Sequence, residues 1–466
     1  MTSQPMNSSM QPTDVYGGDE VSAIILDPGY SSVRAGFAGE DAPKSFINSH
    51  YGASERGEVF GDDAIHNPLA GLEIRNPMSK DGIVEDWDTA TRLWEYAITS
   101  RLTSFKQADP RTNGLNDDLK DVDVEMENAE EGEKPLEEHP LLMTETAWNT
   151  SKNREKAIEI AMESWGCPAF WLARNSVMAA FGAGKATALV IDVGATQASV
   201  VAVHDGLILK KSIQRSNLAG NWLSSQIRTL FNTQEPKVEL VPHYMISSKT
   251  PVDAGAPAQP TFRQFDKKPT DSFRALEEDR VLTEFKESVV QTWAGPGRLN
   301  HVDQQGTNNL AYARSQPGRV FEMPDGYNQM WGVERFQVAE GMWDEKAAYP
   351  VPGEGPVGRT STLIELVKAS VLAVDIDVRI NLLGNVVVTG GTTLINGFTD
   401  RLHNELLAQF PGARIKIQAA GLTTERRFGS WIGGSILGSL GTFHQMWISK
   451  AEYAEFGNTV VERRCK

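Results

Sequence analysis

Two stretches of the chain, IILDPGYSSVRAGFAGE (24–40) and LVIDVGATQASVVAVHDG (189–206), share one plan. Each begins with an apolar run rich in β-branched residues that ends in an aspartate, followed by one residue and a glycine. A polar turn and a second apolar run come next, which predicts a strand–turn–strand unit. An internal echo of this kind indicates duplicated structure. The sequence therefore predicts two lobes of related design.

The turns inside these units suit a phosphate group. A short polar turn points several backbone N–H groups into one small volume, and Gly29 and Gly194 let the backbone approach a ligand closely. Asp27 and Asp192 can then face each other across a cleft and hold a hydrated Mg²⁺, which prefers a few carboxylates plus water and phosphate. One Asp-x-Gly hairpin is usually only a turn, but the pair predicts a phosphate-binding cleft.

A third glycine-rich element completes the predicted site. In VVVTGGTT (386–393) a buried strand runs into Gly390 and Gly391 and then into a helix. Two glycines at such a junction let a flat ligand such as a nucleoside lie on the backbone. The three elements together predict a nucleotide site.

Composition narrows the classes of protein that fit. The chain has 466 residues, more than a single hydrophobic core usually serves, and predicted strands and helices alternate along it, as in α/β proteins. Its formal net charge of −16 argues against direct sequence-specific nucleic-acid binding and leaves room for a basic protein partner. Helices are predicted at 153–166, 280–293 and 430–447 from their apolar spacing.

Cellular location is constrained by what the sequence lacks. The two cysteines, Cys167 and Cys465, are too few for a disulfide framework or a metal cluster and indicate reduced thiols. The N-terminal residues lack the basic and apolar regions of a secretory signal, and no apolar run approaches the roughly 18 residues of a membrane span. We expect a cytosolic or nuclear protein, although no Lys/Arg cluster marks nuclear import.

Four segments differ from the rest in composition. Residues 1–20 are polar and predict a disordered tail. An acidic stretch at about 107–136 predicts a flexible insertion, which is either a solvated loop without a partner or an attractor of basic histone tails. Further insertions are predicted at about 247–271 and 295–318, where periodicity is lost.

The chain resembles actin and the actin-related proteins, members of the actin / Hsp70 / sugar-kinase ATP-binding superfamily. The resemblance covers most of the chain outside the tail and the insertions. It is carried by RAGFAGEDAPKSF (34–46), GIVEDWD (82–88), EEHPLLMTETAWNTSKNREK (137–156), FEMPDGYNQMWGVERF (321–336) and residues 424–466. It implies an α/β fold of two lobes around a nucleotide cleft, with ATP and Mg²⁺ as cofactors.

The resemblance also implies roles for individual residues. Asp27 and Asp192 would hold Mg²⁺ through water, and Arg34 stands where actin has a phosphate-contacting lysine. The implied nucleotide contacts fall on two phosphate loops, a nucleoside junction and the adenine side: Gly29, Tyr30 and Ser31; Gly194, Ala195 and Thr196; Gly390, Gly391 and Thr392; Lys286, Glu287 and Arg427.

The implied division into subdomains follows the actin pattern. Subdomain 1 would comprise 21–50, 82–180 and 428–466; subdomain 2 would be a reduced 51–81; subdomain 3 would comprise 181–212 and 321–427; and subdomain 4 would be 213–320.

Two departures from actin bear on activity. The positions where actin carries a glutamine, an aspartate and a histidine that align the attacking water hold Asn175, Ala195 and Ser199, so we expect little or no ATP hydrolysis. The segment INSHYGASERGEVFGDDA (47–64) leaves almost no room for actin's polymerisation loop, so we expect no filament.

A partner groove is also implied near the C-terminus. It would be lined by Phe181, Ile436, Leu437, Leu440, Thr442 and Met446. Each alone fits a core residue equally well, but the set favours a helix-in-groove contact.

These features resemble the fourth class of nuclear actin-related proteins. The resemblance implies a nuclear, non-catalytic, ATP-binding subunit of chromatin-remodelling and histone acetyltransferase complexes, with roles in transcription regulation and DNA repair. The implied partners are nuclear actin and a long basic scaffold helix, without a membrane. The alternatives are an active actin-type ATPase of the cytoskeleton and a small-molecule kinase, for which no spare cleft carboxylate remains.

Overall fold

The computed structural model of the protein describes residues 22–55, 57–102, 134–295, 297–300 and 308–466. The predicted tail (1–20) lies outside these ranges, as do nearly all of the predicted acidic insertion and part of the one at 295–318.

Strands and helices alternate along the described chain, as predicted. The strands are β1 (Ile24–Pro28), β2 (Ser32–Phe37), β3 (Ser45–Asn48), β4 (Tyr51–Ser54), β5 (Gly57–Val59), β6 (Glu73–Arg75), β7 (Leu141–Glu145), β8 (Ala169–Arg174), β9 (Ala188–Val193), β10 (Ala198–His204), β11 (Leu207–Ile208), β12 (Gln214–Ser216), β13 (Ile246–Thr250), β14 (Gln259–Phe262), β15 (Arg319–Glu322), β16 (Asn328–Trp331), β17 (Val386–Thr389), β18 (Ile417–Ala419) and β19 (Ile448–Ser449). The helices are α1 (Asp62–Ile65), α2 (Trp87–Thr99), α3 (Ser151–Glu159), α4 (Asn175–Gly182), α5 (Gly220–Thr233), α6 (Asp271–Ser288), α7 (Asn309–Ser315), α8 (Glu334–Glu340), α9 (Leu363–Leu372), α10 (Ile376–Leu383), α11 (Phe398–Gln409), α12 (Thr423–Arg427), α13 (Gly429–Gly438), α14 (Lys450–Phe456) and α15 (Val460–Arg464).

The two main sheets repeat one design. The first has the order β19-β8-β7-β1-β2-β3 and the second β11-β10-β9-β17-β18, with β12 also paired to β10. In each, an antiparallel hairpin (β1–β2 or β9–β10) pairs through its first strand with a parallel strand (β7 or β17), which pairs in parallel with the next (β8 or β18). The predicted two lobes of duplicated design are therefore confirmed.

Each lobe has its own hydrophobic core. The cluster of the first lobe includes Ile24, Trp94 and Trp431, whereas that of the second includes Ile191, Phe285 and Leu402. All six side chains are nearly fully buried. The two lobes are therefore stabilised by separate cores.

Helices α4 and α13 pack closely where the chain passes between the lobes. A Cβ on Gly433 of α13 would lie 1.8 Å from the carbonyl oxygen of Met178 in α4, and one on Gly182 would lie 3.0 Å from the oxygen of Gly429. Glycine lets the two backbones approach to this distance. The helix contact beside the cleft therefore depends on these small residues.

Some elements differ from those predicted. The helix predicted at 280–293 is α6, which begins earlier because the Thr270 side chain accepts a hydrogen bond from the backbone N–H of Phe273 (3.3 Å) as an N-cap. Helix α13 ends at Gly438, before a short 3₁₀ helix (Gly441–Gln445). None of the helices in the described part of the chain has the length and apolar composition of a membrane span.

The segment predicted as an insertion at 247–271 forms an ordered hairpin. Strands β13 and β14 pair antiparallel, and Lys249 makes an ion pair with Glu322 of β15 (2.6 Å). The side-chain amide of Asn328 donates to the oxygen of Val252 (2.8 Å). Contacts with a second hairpin order this segment, and local periodicity does not report such contacts.

The segment at 47–64 is short, as its sequence indicates. Strands β4 and β5 pair from Gly52↔Val59 to Ser54↔Gly57, and β4 also pairs with β6 to form a small three-stranded sheet. This geometry leaves no extended loop between β4 and β5.

Both cysteines are buried and unpaired with each other. Burial raises the pKa of the Cys167 and Cys465 thiols to about 12 in each case. Such thiols are poor nucleophiles at neutral pH.

Candidate nucleotide-binding cleft

The two Asp-x-Gly turns have the same backbone geometry. The N–H of Gly29 donates to the oxygen of Ser32 (3.0 Å), and the N–H of Gly194 donates to the oxygen of Gln197 (2.9 Å), three residues on in both cases. Strand register places Asp27 opposite Arg34 and Asp192 opposite Ser199. The sequence echo is therefore also an echo in structure.

Both turns present free backbone donors. None of the hydrogen bonds between described residues uses the N–H groups of Tyr30, Ser31, Ala195 or Thr196. Backbone N–H groups that no protein acceptor uses bond to water or to a ligand, and the four donors at these turns are open to either. Successive N–H groups at a turn form a concavity that binds anions. The turns therefore fit phosphate oxygens.

The two aspartates lie near each other. Asp27 accepts hydrogen bonds from Arg34 Nη1 (2.8 Å) and Thr144 Oγ1 (2.5 Å) and is 6 % exposed. Burial, followed by the negative charge of Asp27, raises the pKa of Asp192 to about 6, and Arg34 opposes this shift.

A divalent cation between these carboxylates would relieve their repulsion. Within the described residues no group of three or more His, Cys, Asp or Glu side chains is placed to hold a metal ion. If two carboxylates serve the cation, its other coordination positions are open to water and phosphate, which is the arrangement that Mg²⁺ prefers. The pair Asp27 and Asp192 therefore fits a hydrated Mg²⁺ bound together with phosphate.

The third element contacts the second turn directly. Gly390 has φ +96°, and a Cβ there would lie 2.4 Å from the oxygen of Val193 and 2.5 Å from Asp192 Oδ1. Thr392 Oγ1 donates to the oxygen of Gly194 (2.7 Å). A Cβ on Gly391 would meet no atom within 4 Å, so open space lies over this glycine.

The residues predicted on the adenine side lie on α6 (Lys286 and Glu287) and at the end of α12 (Arg427). Lys286 Nζ donates to the oxygen of Gly220 (3.1 Å) and to Ser224 Oγ (2.9 Å), and burial lowers its pKa to about 8. Arg427 lies over the ring of Phe46 (4.8 Å), and burial followed by the charge of Arg34 lowers its pKa, while Glu287 opposes this. Arg427 is therefore within electrostatic range of both Arg34 and Glu287.

The structure shows the surroundings of Asn175, Ala195 and Ser199, the positions at which we expect actin's water-aligning residues to be replaced. Asn175 Oδ1 accepts from the N–H of Ser176 (2.8 Å), and Asn175 Nδ2 donates to Asp192 Oδ2 (3.5 Å). Both ends of this amide are thus engaged. Ala195 carries only a methyl group, and the buried Ser199 offers a neutral hydroxyl, which is a poor general base.

Sequence reasoning missed a set of polar contacts between the two lobes. Thr270 Oγ1 donates to the oxygen of Leu72 (2.5 Å), the N–H of Ile74 donates to Ser272 Oγ (2.9 Å), and His66 contacts Glu277. These bonds join the β4–β6 sheet of the first lobe to α6 of the second. The partners are about 200 residues apart, so no local signal could have revealed them.

A second contact joins the lobes beside the second turn. Gln197 Nε2 donates to the oxygen of Lys80 (3.1 Å), and Arg215 makes an ion pair with Asp81 (3.0 Å). A ligand held by the second turn would therefore be linked to the position of the first lobe.

The predicted partner groove contains both exposed and half-buried residues. Ile436, Leu440 and Met446 are 41, 41 and 45 % exposed, whereas Leu437 packs partly against the core of the first lobe. Thr442 is exposed and Phe181 is half-buried. A cavity of about 720 Å³ beside Ile436 is lined by α4, α13, β17 and the carboxylates Glu40, Asp41 and Glu425.

Several known proteins are similar to this chain over almost its whole length. A family model described as Actin matches residues 18–466. The chain is 59 % identical to Actin-related protein 4 of Gibberella zeae (100 % of both chains) and 58 % identical to Actin-related protein 4 of Neurospora crassa (99 % of both). It is 34 % identical to "SWI/SNF and RSC complexes subunit arp42" of Schizosaccharomyces pombe, over 96 % of this chain and 100 % of that protein.

Proposed function

The chain belongs to the actin family, and on that premise we propose that it is a nuclear, non-catalytic assembly subunit that binds ATP and Mg²⁺ in chromatin-remodelling and histone acetyltransferase complexes. Full-length similarity to relatives named Actin-related protein 4 and to one named as a SWI/SNF and RSC subunit supports a chromatin-complex role.

One combination of features carries the proposal. The cleft offers free N–H groups at Tyr30, Ser31, Ala195 and Thr196 and two nearby carboxylates, which suit a nucleoside triphosphate with Mg²⁺. Where actin aligns water, the same cleft offers the amide of Asn175, the methyl group of Ala195 and the hydroxyl of Ser199, none of which acts as a general base near neutral pH. The Asn175 amide is also engaged by Ser176 and Asp192. Binding is thus favoured and hydrolysis is not.

ATP then acts as a structural ligand. It would contact turns from both lobes, and a ligand that binds only the folded form stabilises that form by mass action. The angle between the lobes, and with it the shape of the partner groove, would depend on bound nucleotide.

The proposed partners are nuclear actin and a long basic helix of a remodeller ATPase or acetyltransferase scaffold. A net charge of −16 and the carboxylates Glu40, Asp41 and Glu425 beside the exposed Ile436 suit a helix with basic and apolar faces. Histone contact through the acidic segment at 107–136 is a further hypothesis, and nearly all of that segment lies outside the described residues.

Nucleotide fate tests the proposed activity. We expect the purified chain, loaded with labelled ATP and Mg²⁺ and freed of excess ligand, to retain ATP over hours because no group deprotonates water. Quantifying bound ATP and ADP over time, with actin as the comparison, provides the measurement. Conversion to ADP at an actin-like rate would favour an active ATPase of the cytoskeleton instead.

Sedimentation in polymerising salt separates the same two functions independently. An assembly subunit lacking an extended loop between β4 and β5 should stay in the supernatant. Pelleting as filaments would contradict the proposal.

The groove is tested by Ile436→Asp. Because Ile436 is 41 % exposed, the variant should keep its melting temperature and lose about tenfold or more in affinity for an immobilised basic amphipathic peptide, as expected for a buried charge at a docking surface. Leu437→Asp is less suitable because Leu437 packs partly against the core. Leu407→Asp, at a 44 % exposed position on α11, is the matched control. Unchanged binding by Ile436→Asp would place the helix elsewhere.

A further inference from the structure

Tyr30 lies in the first turn, where hydrogen bonds fix the carbonyl groups of three successive residues. Ser49 Oγ donates to the oxygen of Gly29 (2.6 Å), Asn76 Nδ2 donates to the oxygen of Tyr30 (2.8 Å), and the N–H of Ser49 donates to the oxygen of Ser31 (3.1 Å). The carbonyls of the turn thus face the protein. The turn is rigid, and its N–H groups remain available on the cleft side.

The Tyr30 ring packs on a histidine at the same end of the cleft. The ring centroids of Tyr30 and His50 are 5.7 Å apart and the rings are nearly perpendicular (89°), the edge-to-face geometry that aromatic pairs prefer. Burial lowers the pKa of His50, so its ring favours the neutral form that packs against Tyr30. The contact fixes the direction of the Tyr30 side chain.

The opposite lobe approaches this pair. Asp279 of α6 acts electrostatically on both Tyr30 and His50, and burial together with Asp279 raises the pKa of the Tyr30 phenol. Asp279 Oδ1 makes an ion pair with Arg228 Nη2 (3.2 Å). On the same helix, Glu277 contacts His66 of the first lobe. Geometry links the same two parts of the molecule: Asn76 donates to the oxygen of Tyr30 (2.8 Å), and the N–H of Ile74 donates to Ser272 Oγ of α6 (2.9 Å). The first turn is therefore connected to α6 through the segment that holds Ile74 and Asn76.

We propose that Tyr30 is a positioning residue that closes the phosphate end of the cleft and slows the release of a bound nucleoside triphosphate. The inference rests on the proposed binding of ATP. A phosphate bound to the backbone N–H groups of Tyr30 and Ser31 would lie beside this ring, which would hinder its release. Separation of the two lobes would also break the contact between His66 and Glu277. The Tyr30 ring and this contact would therefore both slow release.

Release rates of a fluorescent ATP analogue, chased with excess ATP, test the inference in the full chain. Tyr30→Ser is expected to release the analogue about tenfold faster, the scale of losing one aromatic contact. His50→Ala leaves Tyr30 in place without its partner ring and should also accelerate release. Tyr30→Phe keeps the ring and should release at the wild-type rate. Tyr312→Ser, at an exposed tyrosine of α7, is the control.

The outcomes separate this inference from the proposed function. Wild-type release rates in both Tyr30→Ser and His50→Ala would overturn the closure, as would Tyr30→Phe behaving like Tyr30→Ser. A wild-type chain that holds no ATP would instead overturn the proposed function itself. Cooperative melting curves without nucleotide show that each variant is folded, and loss of the contact between the Tyr30 and His50 rings should lower the melting temperature by only about 2 °C.

Discussion

Gly433→Ala is expected to lower the free energy of unfolding by about 3 kcal/mol, within the range of overpacking at a tight backbone contact. The new Cβ would lie 1.8 Å from the carbonyl oxygen of Met178, closer than any side chain can come. The clash is with backbone, so no rotamer change relieves it. Alanine's better helix propensity returns only about 1 kcal/mol. The midpoint of guanidinium denaturation measures the effect.

Gly441→Ala is the matched control for this prediction. A Cβ on Gly441 would meet no atom within 4 Å, and this glycine lies in the 3₁₀ helix that follows α13. Its denaturation midpoint should match that of the wild type. Equal midpoints for Gly433→Ala and the wild type would mean that α4 and α13 can separate freely.

Gly390→Ala should weaken ATP binding by about a hundredfold, which corresponds to ~3 kcal/mol. At φ +96° an alanine is strained, and its Cβ would collide with the oxygen of Val193 and with Asp192 Oδ1. Relief of the collision displaces the carboxylate proposed to hold Mg²⁺ and the second turn. Titration calorimetry with Mg²⁺ and ATP measures the loss.

The neighbouring glycine supplies a sharp contrast. Gly391→Ala adds a methyl group to open space, so the stability of the nucleotide-free protein should not change. If the nucleoside lies over this glycine, as we propose, ATP affinity should still fall. Wild-type ATP affinity in Gly390→Ala would contradict the assignment of the junction to the nucleotide site.

Local patterns in the sequence were sufficient to predict the architecture. The Asp-x-Gly echo predicted both hairpins because an apolar run and the turn chemistry that follows it are properties of neighbouring residues. Its repetition predicted two lobes of one design. The junction at Gly390 and Gly391 was visible for the same reason, and family membership is now shown by similarity along almost the whole chain.

Other features depended on residues that are distant in the chain. The hairpin at β13–β14 was not predicted, because its partner hairpin lies far along the chain. The early start of α6 was missed for a different reason, since its N-cap at Thr270 is a local signal. The partial burial of Leu437 against the core was also not predicted, because burial depends on contacts with a second element of the fold.

The sequence by itself determined the two hairpins, the glycine junction and the replacement of three water-aligning residues by Asn175, Ala195 and Ser199. Only the tertiary structure decided that the Asn175 amide is engaged at both ends, that Asp27 lies close enough to Asp192 to raise its pKa, and that α6 contacts the β4–β6 sheet. The physical reason is range. Turn and strand preferences act between neighbouring residues, whereas repulsion between carboxylates and the meeting of backbones depend on distances that exist only after both lobes have packed.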